Sequence, residues 1–278
     1  MTQTNPPLVA VDIGNSRIKL GRFNQLDGQG LPLLSRIPEP SRTAELASER
    51  WTEQQLLEVL GDSPASKPDA AKPEAATWVL ASVNPPAAAR LADWLAARGA
   101  TTHQLTAADI PITVDLREPN RVGVDRLVGA AAANMLRDPG RSAIVVDLGS
   151  AITVDLVSAA GTFAGGAILP GIAMSARVLH EQTEQLPHHP REELTAEPPA
   201  LGRSTDAAID SGLFWGAVGA IRELIARLAD EQPNGPHVFL TGGAAPSVAN
   251  LLGESTVHVP HLLLAGVAIA YKHSMGKT

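Results

Sequence analysis

Two short stretches constrain this chain more than anything else in it: Val11-Asp12-Ile13-Gly14-Asn15-Ser16 and Val146-Asp147-Leu148-Gly149-Ser150-Ala151. Each places an acid at the end of an alternating apolar run (Val9 and Val11; Ile144 and Val146), then small residues where the chain turns, then a second apolar run. Alternation with period two reads as a half-buried strand, and Asp, Gly, Asn and Ser are ordinary turn residues. Either stretch alone is therefore a plain β-hairpin. They lie about half a chain apart, and that repeat predicts two related domains facing one another across a cleft, where ligands bind. Paired turns of this kind offer backbone N–H groups to a polyphosphate, and their aspartates can hold a cation that offsets its charge.

The remaining sequence alternates strand and helix patterns, which predicts an α/β class. "TEQQLLEVLG" has helical spacing, with Thr52 as cap and Gly61 as stop. Residues 62–76, rich in Pro, Ala and Lys, read as a surface loop. "TWVLASVNP" is a strand ending in Asn84-Pro85, "AAARLADWLAARG" an amphipathic helix, and "PITVDL" a further strand. Asp125 to Leu136 is helical and nearly free of charge, hence buried. "GTFAGGAILPGI" reads as a Gly-rich descent into a helix, and residues 206–230 as the longest helix. "HVFLTGGAAPSVANLLG" is strand, glycine turn and helix, and an apolar helix closes the chain.

Composition narrows the function. A net charge of -7 gives no electrostatic case for nucleic acid or an anionic membrane as partner. Cysteine is absent, which excludes disulfides, thiolate catalysis and Cys-ligated metal. The N-terminal residues lack the basic and apolar regions of a secretory signal, and no apolar run reaches the ~20 residues of a membrane helix. The expectation is a cytoplasmic protein. His188-His189 lacks the helical spacing of a zinc pair, and the terminal Gly-Lys-Thr lacks the rest of a phosphate-binding loop.

Two further segments carry chemistry. Thr241-Gly242-Gly243-Ala244-Ala245 follows a strand and precedes a helix; its glycines let backbone approach a flat group such as adenine, although Gly-Gly also serves simple turns. Asp125-Arg126 opens the buried helix. Asp125 is either a helix cap or a general base for an acceptor hydroxyl, with Arg126 as a charge clamp. Phe214-Trp215 reads as core or dimer interface.

The order of two phosphate hairpins and a glycine turn resembles the acetate kinase, hexokinase and actin superfamily. With "DIGNS", "GVDR", "DLGSAITVD", "GGAILPGI", "GRSTDAAIDSGLFWGAVGAI" and "TGGAA" in sequence, nearly the whole chain resembles the type III pantothenate kinases. The resemblance implies two ribonuclease-H-like (actin-like) domains, at 1–118 and 119–278, with a nucleotide cleft between them. It implies ATP-dependent phosphorylation of pantothenate, the first step of coenzyme A synthesis, in a homodimer that uses Mg2+ and a monovalent cation, K+ or NH4+. Asp12, Ile13, Gly14, Asn15, Ser16, Arg17, Ile18 and Lys19 match the first ATP-phosphate loop, and Ser150 an ATP contact. Asp147 matches the monovalent-cation ligand. Gly123, Val124, Asp125 and Arg126 match the pantothenate loop, with Asp125 as proton acceptor, and Thr205 a further pantothenate contact. The chain departs from the family pattern before that loop: it lacks a Gly-Pro-Gly-x-Lys-Thr-Gly-like stretch, and Leu116 stands at the place of a tyrosine. A kinase of the same fold for another small alcohol, or a non-catalytic nucleotide-binding accessory protein, are the alternative readings.

Overall fold

The structure, a computed structural model, describes residues 6–26, 33–61, 72–187 and 196–276. His188-His189, residues 62–71 of the expected surface loop, and Lys277-Thr278 lie outside the described residues. In chain order the elements are β1 (Leu8–Ile13), β2 (Arg17–Phe23), β3 (Arg42–Ala47), α1 (Glu53–Leu57), β4 (Thr77–Ser82), α2 (Pro85–Ala96), β5 (Thr101–Gln104), β6 (Thr113–Val114) and α3 (Val124–Leu136). There follow β7 (Ala143–Leu148), β8 (Ala151–Val157), β9 (Thr162–Pro170), α4 (Ile172–Glu181), α5 (Thr205–Asp230), β10 (His237–Thr241), α6 (Ala245–Val248), β11 (Thr256–His258) and α7 (Leu262–Met275).

The repeat seen in the hairpins extends to whole sheets. One sheet has the order β3-β2-β1-β4-β5, and the other runs β11-β10-β7-β8-β9 with β6 added at the edge. In the first, β1 pairs antiparallel with β2, β2 antiparallel with β3, and β1 parallel with β4. The second repeats these directions: β7 with β8 and β8 with β9 antiparallel, β7 with β10 parallel. Two ribonuclease-H-like sheets of one topology are thus present, and the α/β expectation holds.

The two compact units do not follow a cut between residues 118 and 119. One comprises the described parts of Met1–Thr113, Arg117–Leu136 and His261–Thr278; the other comprises Val114–Leu116 and Arg137–Pro260. The physical reason is a helix pair. α3 and α7 pack on one another, and α7 also packs on β1. A Cβ on Gly266 would run into the Val128 backbone, so glycine is what lets the helices approach so closely. Both α3 and the chain's last helix therefore belong with the first sheet.

β1 is buried on both faces, as befits a central strand covered on both sides. Val9, Val11 and Ile13 point into one core with Ile18, Leu20, Leu46, Leu56, Trp78 and Leu91. Alternation puts Leu8, Ala10 and Asp12 on the opposite face, that of α7. β7 repeats the plan: Ile144, Val146 and Leu148 join Phe214, Val218 and Ile221 of α5 in the second core, which leaves Asp147 on the other face. Each fully buried aliphatic side chain contributes about 1.5–3 kcal/mol. Such strands are rigid mounts for the turns at their ends.

Candidate active site

Each aspartate is the fifth of six strand residues, one short of its turn. Asp12 faces Lys19 across β2 and Ala81 across β4; Asp147 faces Thr153 across β8 and Thr241 across β10. Asp12 is buried and Asp147 half-buried.

The first turn runs from Gly14 to Arg17, closed by the Gly14 N–H donating to the Arg17 carbonyl at 2.9 Å. Ser48, buried at the end of β3, donates its N–H to the Ser16 carbonyl (2.9 Å) and its Oγ–H to the Gly14 carbonyl (2.8 Å). Asn84 caps α2 by accepting the Ala87 N–H at 3.2 Å, and its Nδ2 donates to the carbonyls of Gly14 (3.4 Å) and Asn15 (3.5 Å). Arg17 pairs with Glu45 on the neighbouring strand. Asn15 and Ser16 are exposed at the tip, while Lys19 is half-buried and Ile13 and Ile18 sit in the core.

The second turn is one residue shorter, closed by the Gly149 N–H donating to the Ala151 carbonyl at 3.0 Å. The Gly171 N–H donates to the Ser150 carbonyl at 3.1 Å, the counterpart of the Ser48 bond to Ser16. Ser150 therefore matches Ser16, and Asn15 is the extra residue of the first turn, a one-residue offset from the ungapped sequence alignment. The glycine turn lies directly against this hairpin. Gly242 has φ +99°, and a Cβ there would sit 2.5 Å from both Asp147 Oδ1 and the Leu148 carbonyl oxygen. Glycine at 242 is thus required twice, by backbone angle and by its close contact with the Asp147 carboxylate.

Asp125 lies in the first turn of α3, half-buried, and its Oδ1 accepts the Arg126 N–H at 2.8 Å. Burial pushes its pKa above the ordinary carboxylate range, partly offset by that hydrogen bond and by the Arg126 charge. Gly123 precedes the helix and Val124 opens it. Thr205 is the first residue of α5, exposed, behind the cap in which Ser204 Oγ accepts the Ala207 N–H at 3.2 Å. Leu116 is 37% exposed; its Cδ2 lies 3.1 Å from where a Cβ on Gly165 would stand. Phe214 is core, whereas Trp215 is half-buried and donates its indole N–H to the Pro198 carbonyl at 3.1 Å.

The first unit thus carries Asp12, the longer turn, Gly123 and Asp125; the second carries Asp147, Ser150, the glycine turn, Leu116 and Thr205. Sequence reasoning missed Ser48 and gave no role to Gly171, although "GGAILPGI" contains it. Asn84 was visible as the end of a strand, and Asn-Pro-Pro is also a helix-start signature.

The sequence profile of type III pantothenate kinases matches residues 8–227. The chain belongs to that family. A type III pantothenate kinase of Dehalococcoides mccartyi is 33% identical over 267 residues, covering 95% of this chain and 97% of the relative. One from Anaeromyxobacter sp. is 34% identical over 270 residues, 96% of this chain and 99% of its own. Among solved structures, the activator of 2-hydroxyisocaproyl-CoA dehydratase from Clostridium difficile, with bound ADPNP, aligns with a TM-score of 0.49 at 12% identity, covering 98% of this chain and 96% of that one.

Proposed function

We infer that this chain is an ATP-dependent kinase that phosphorylates the terminal hydroxyl of pantothenate, opening coenzyme A synthesis. The observation that supports it most is the duplicated acid-tipped turn, set on two sheets of one topology, in a chain that matches the family almost end to end. Its turns 14–17 and 149–151 offer peptide N–H groups to the ATP phosphates, with Lys19 and Ser150 as further contacts. Gly242 and Gly243 take the adenosine. Asp125 accepts the proton of the pantothenate hydroxyl, and Arg126 beside it holds charge in the acceptor site. Burial raises the Asp125 pKa above that of a solvated carboxylate, which makes it a better base. Phosphoryl transfer of this kind depends on positioning and electrostatic stabilisation, with no covalent enzyme intermediate.

The carboxylate of Asp147, whose Oδ1 is buried beside Gly242, would hold a monovalent cation, and Asp12 would face magnesium. Among the described residues no group of three or more His, Asp or Glu side chains gathers, so either ion would draw its other ligands from phosphate oxygens, carbonyls and water. When bound, these ions neutralise phosphate charge. Gly212, Gly216 and Gly219 lie exposed along α5, and Cβ atoms there would meet nothing within 4 Å, which supports close packing against a second copy in a homodimer. Among the described residues no helix is long and apolar enough to cross a membrane.

The test is ADP release at fixed ATP, magnesium and potassium across a panel of small alcohols. Turnover with pantothenate well above every other alcohol is expected. Turnover that prefers a different alcohol would replace pantothenate with that acceptor.

A further inference from the structure

The two copies of the sheet hold their phosphate turns in the same way with different parts. In each, the residue just after the third strand donates its N–H to the carbonyl of the last turn residue before the return strand: Ser48 to Ser16 and Gly171 to Ser150. In the second copy this position can carry no side chain, because a Cβ on Gly171 would lie 2.5 Å from the carbonyl oxygens of Gly149 and Ser150. The cap position of the helix that follows the fourth strand is there Ala244, which makes no side-chain cap. The first copy fills both places with hydrogen-bonding side chains. Ser48 Oγ reaches the Gly14 carbonyl, and Asn84 Nδ2 reaches those of Gly14 and Asn15.

This difference tracks the length of the turn. The first turn has one residue more, hence one more peptide plane to fix. A trans peptide is planar, with its C=O and the following N–H pointing in opposite directions. Drawing the carbonyls of Gly14, Asn15 and Ser16 toward Ser48 and Asn84 therefore aims the N–H groups of Asn15, Ser16 and Arg17 the other way, as a set. Ser48 is itself buried, and its own carbonyl accepts from the Arg90 guanidinium. Asn84 is fixed at its other end, its Oδ1 engaged by the Ala87 N–H and its backbone N–H donating to Ser82 Oγ at 3.0 Å. Both clamps are thus anchored before they meet the turn.

We propose that Ser48 and Asn84 are positioning residues for nucleotide binding, orienting the amides of the longer phosphate turn while touching no substrate themselves. The proposal rests on the reading of that turn as an ATP-phosphate site. Two substitutions isolate it. Ser48→Ala removes only the Oγ–H, and Asn84→Ser keeps a good helix cap in a side chain too short to reach the turn. One hydrogen bond between neutral groups is worth a few-fold in affinity, so each variant should lose about two- to tenfold in Mg·ATP affinity by titration calorimetry, and the double variant more. Amide hydrogen exchange in the peptide carrying residues 13–17 should quicken, with exchange in β4 unchanged, and the pantothenate KM should stay within twofold of the parent. A general loss of packing would instead raise both KM values and lower the melting temperature. That result, or an ATP affinity in the double variant equal to the parent's, overturns the proposal. A parent protein that binds no Mg·ATP would contradict the phosphate reading of the turn itself, and the positioning role with it.

Discussion

Replacing Asp125 with asparagine separates its two possible roles, because the amide has nearly the same shape and its Oδ1 can still accept the Arg126 N–H that Asp125 accepts at 2.8 Å. If the carboxylate only tidies the start of α3, activity should be almost unchanged. As a general base it cannot be replaced by a group that takes up no proton near neutral pH. General-base loss costs roughly 10²–10⁴-fold in rate, or about 3–5 kcal/mol of barrier. Stability should move the other way. Burial raises the folded-state pKa of Asp125, so the native state holds this proton more tightly than the unfolded chain, whose carboxyl titrates at about 3.9. The fold therefore loses stability as pH rises from that value through the raised native pKa, and stays at the lower level above it. Asparagine removes that penalty. Asp125→Asn should melt at or above the parent temperature at pH 7, with the advantage vanishing below about pH 4. The parent's kcat/KM should fall on acidification through an apparent pKa above the ordinary Asp value, and the variant's residual activity should lack that limb. The assay is turnover, ATP affinity and calorimetric melting on the two proteins side by side. Turnover within threefold of the parent would refute the base assignment, whatever the melting temperature does.

Four other expectations follow from particular residues. Gly242→Ala forces a side chain at φ +99° into Asp147 Oδ1 and the Leu148 carbonyl; backbone strain of this kind costs about 1–3 kcal/mol, and thermal melting should drop while the ATP KM rises. Leu116→Tyr restores a hydrogen-bonding side chain at a 37% exposed position, worth about 0.5–1.5 kcal/mol, so the pantothenate KM should fall several-fold; an unchanged KM would mean that this position does not meet the acceptor. If Asp147 holds a monovalent cation, activity at constant ionic strength should be high in potassium or ammonium and low in sodium, and equal rates in all three would remove that role. Light scattering should give twice the 29.0 kDa of one chain, and a monomer with full activity on dilution would rule out a shared acceptor site.

What was legible in the sequence was what local pattern controls. β1, β2, β7 and β8 announce themselves by alternation, and Thr52 caps α1 as expected, through a reciprocal pair with Gln55. That helix nevertheless ends at Leu57 instead of continuing to Gly61. β3 was missed because Arg-Thr-Ala-Glu-Leu-Ala favours a helix by propensity; pairing with β2 from Arg17↔Ala47 to Arg22↔Arg42 overrides it. β9 hid behind its glycines, read as a Gly-rich descent into a helix. At Gly166 a Cβ would collide with the Val154 carbonyl and Asp155, so glycine is there for close approach to β8 and not for a turn. Of "PITVDL" only Thr113–Val114 is strand. The domain cut failed because the partner of α3, α7, is its distant neighbour in sequence. Ser48 was invisible for the same reason, since its meaning depends on a turn more than thirty residues earlier.

The most direct test of the central claim is mass spectrometry of the products from ATP and pantothenate with magnesium and potassium. The account predicts one phosphopantothenate for each ADP, carrying its phosphate on the terminal hydroxyl, and neither product above background when pantothenate is left out. ADP released with no phosphate on pantothenate, or phosphate on its other hydroxyl, would contradict it.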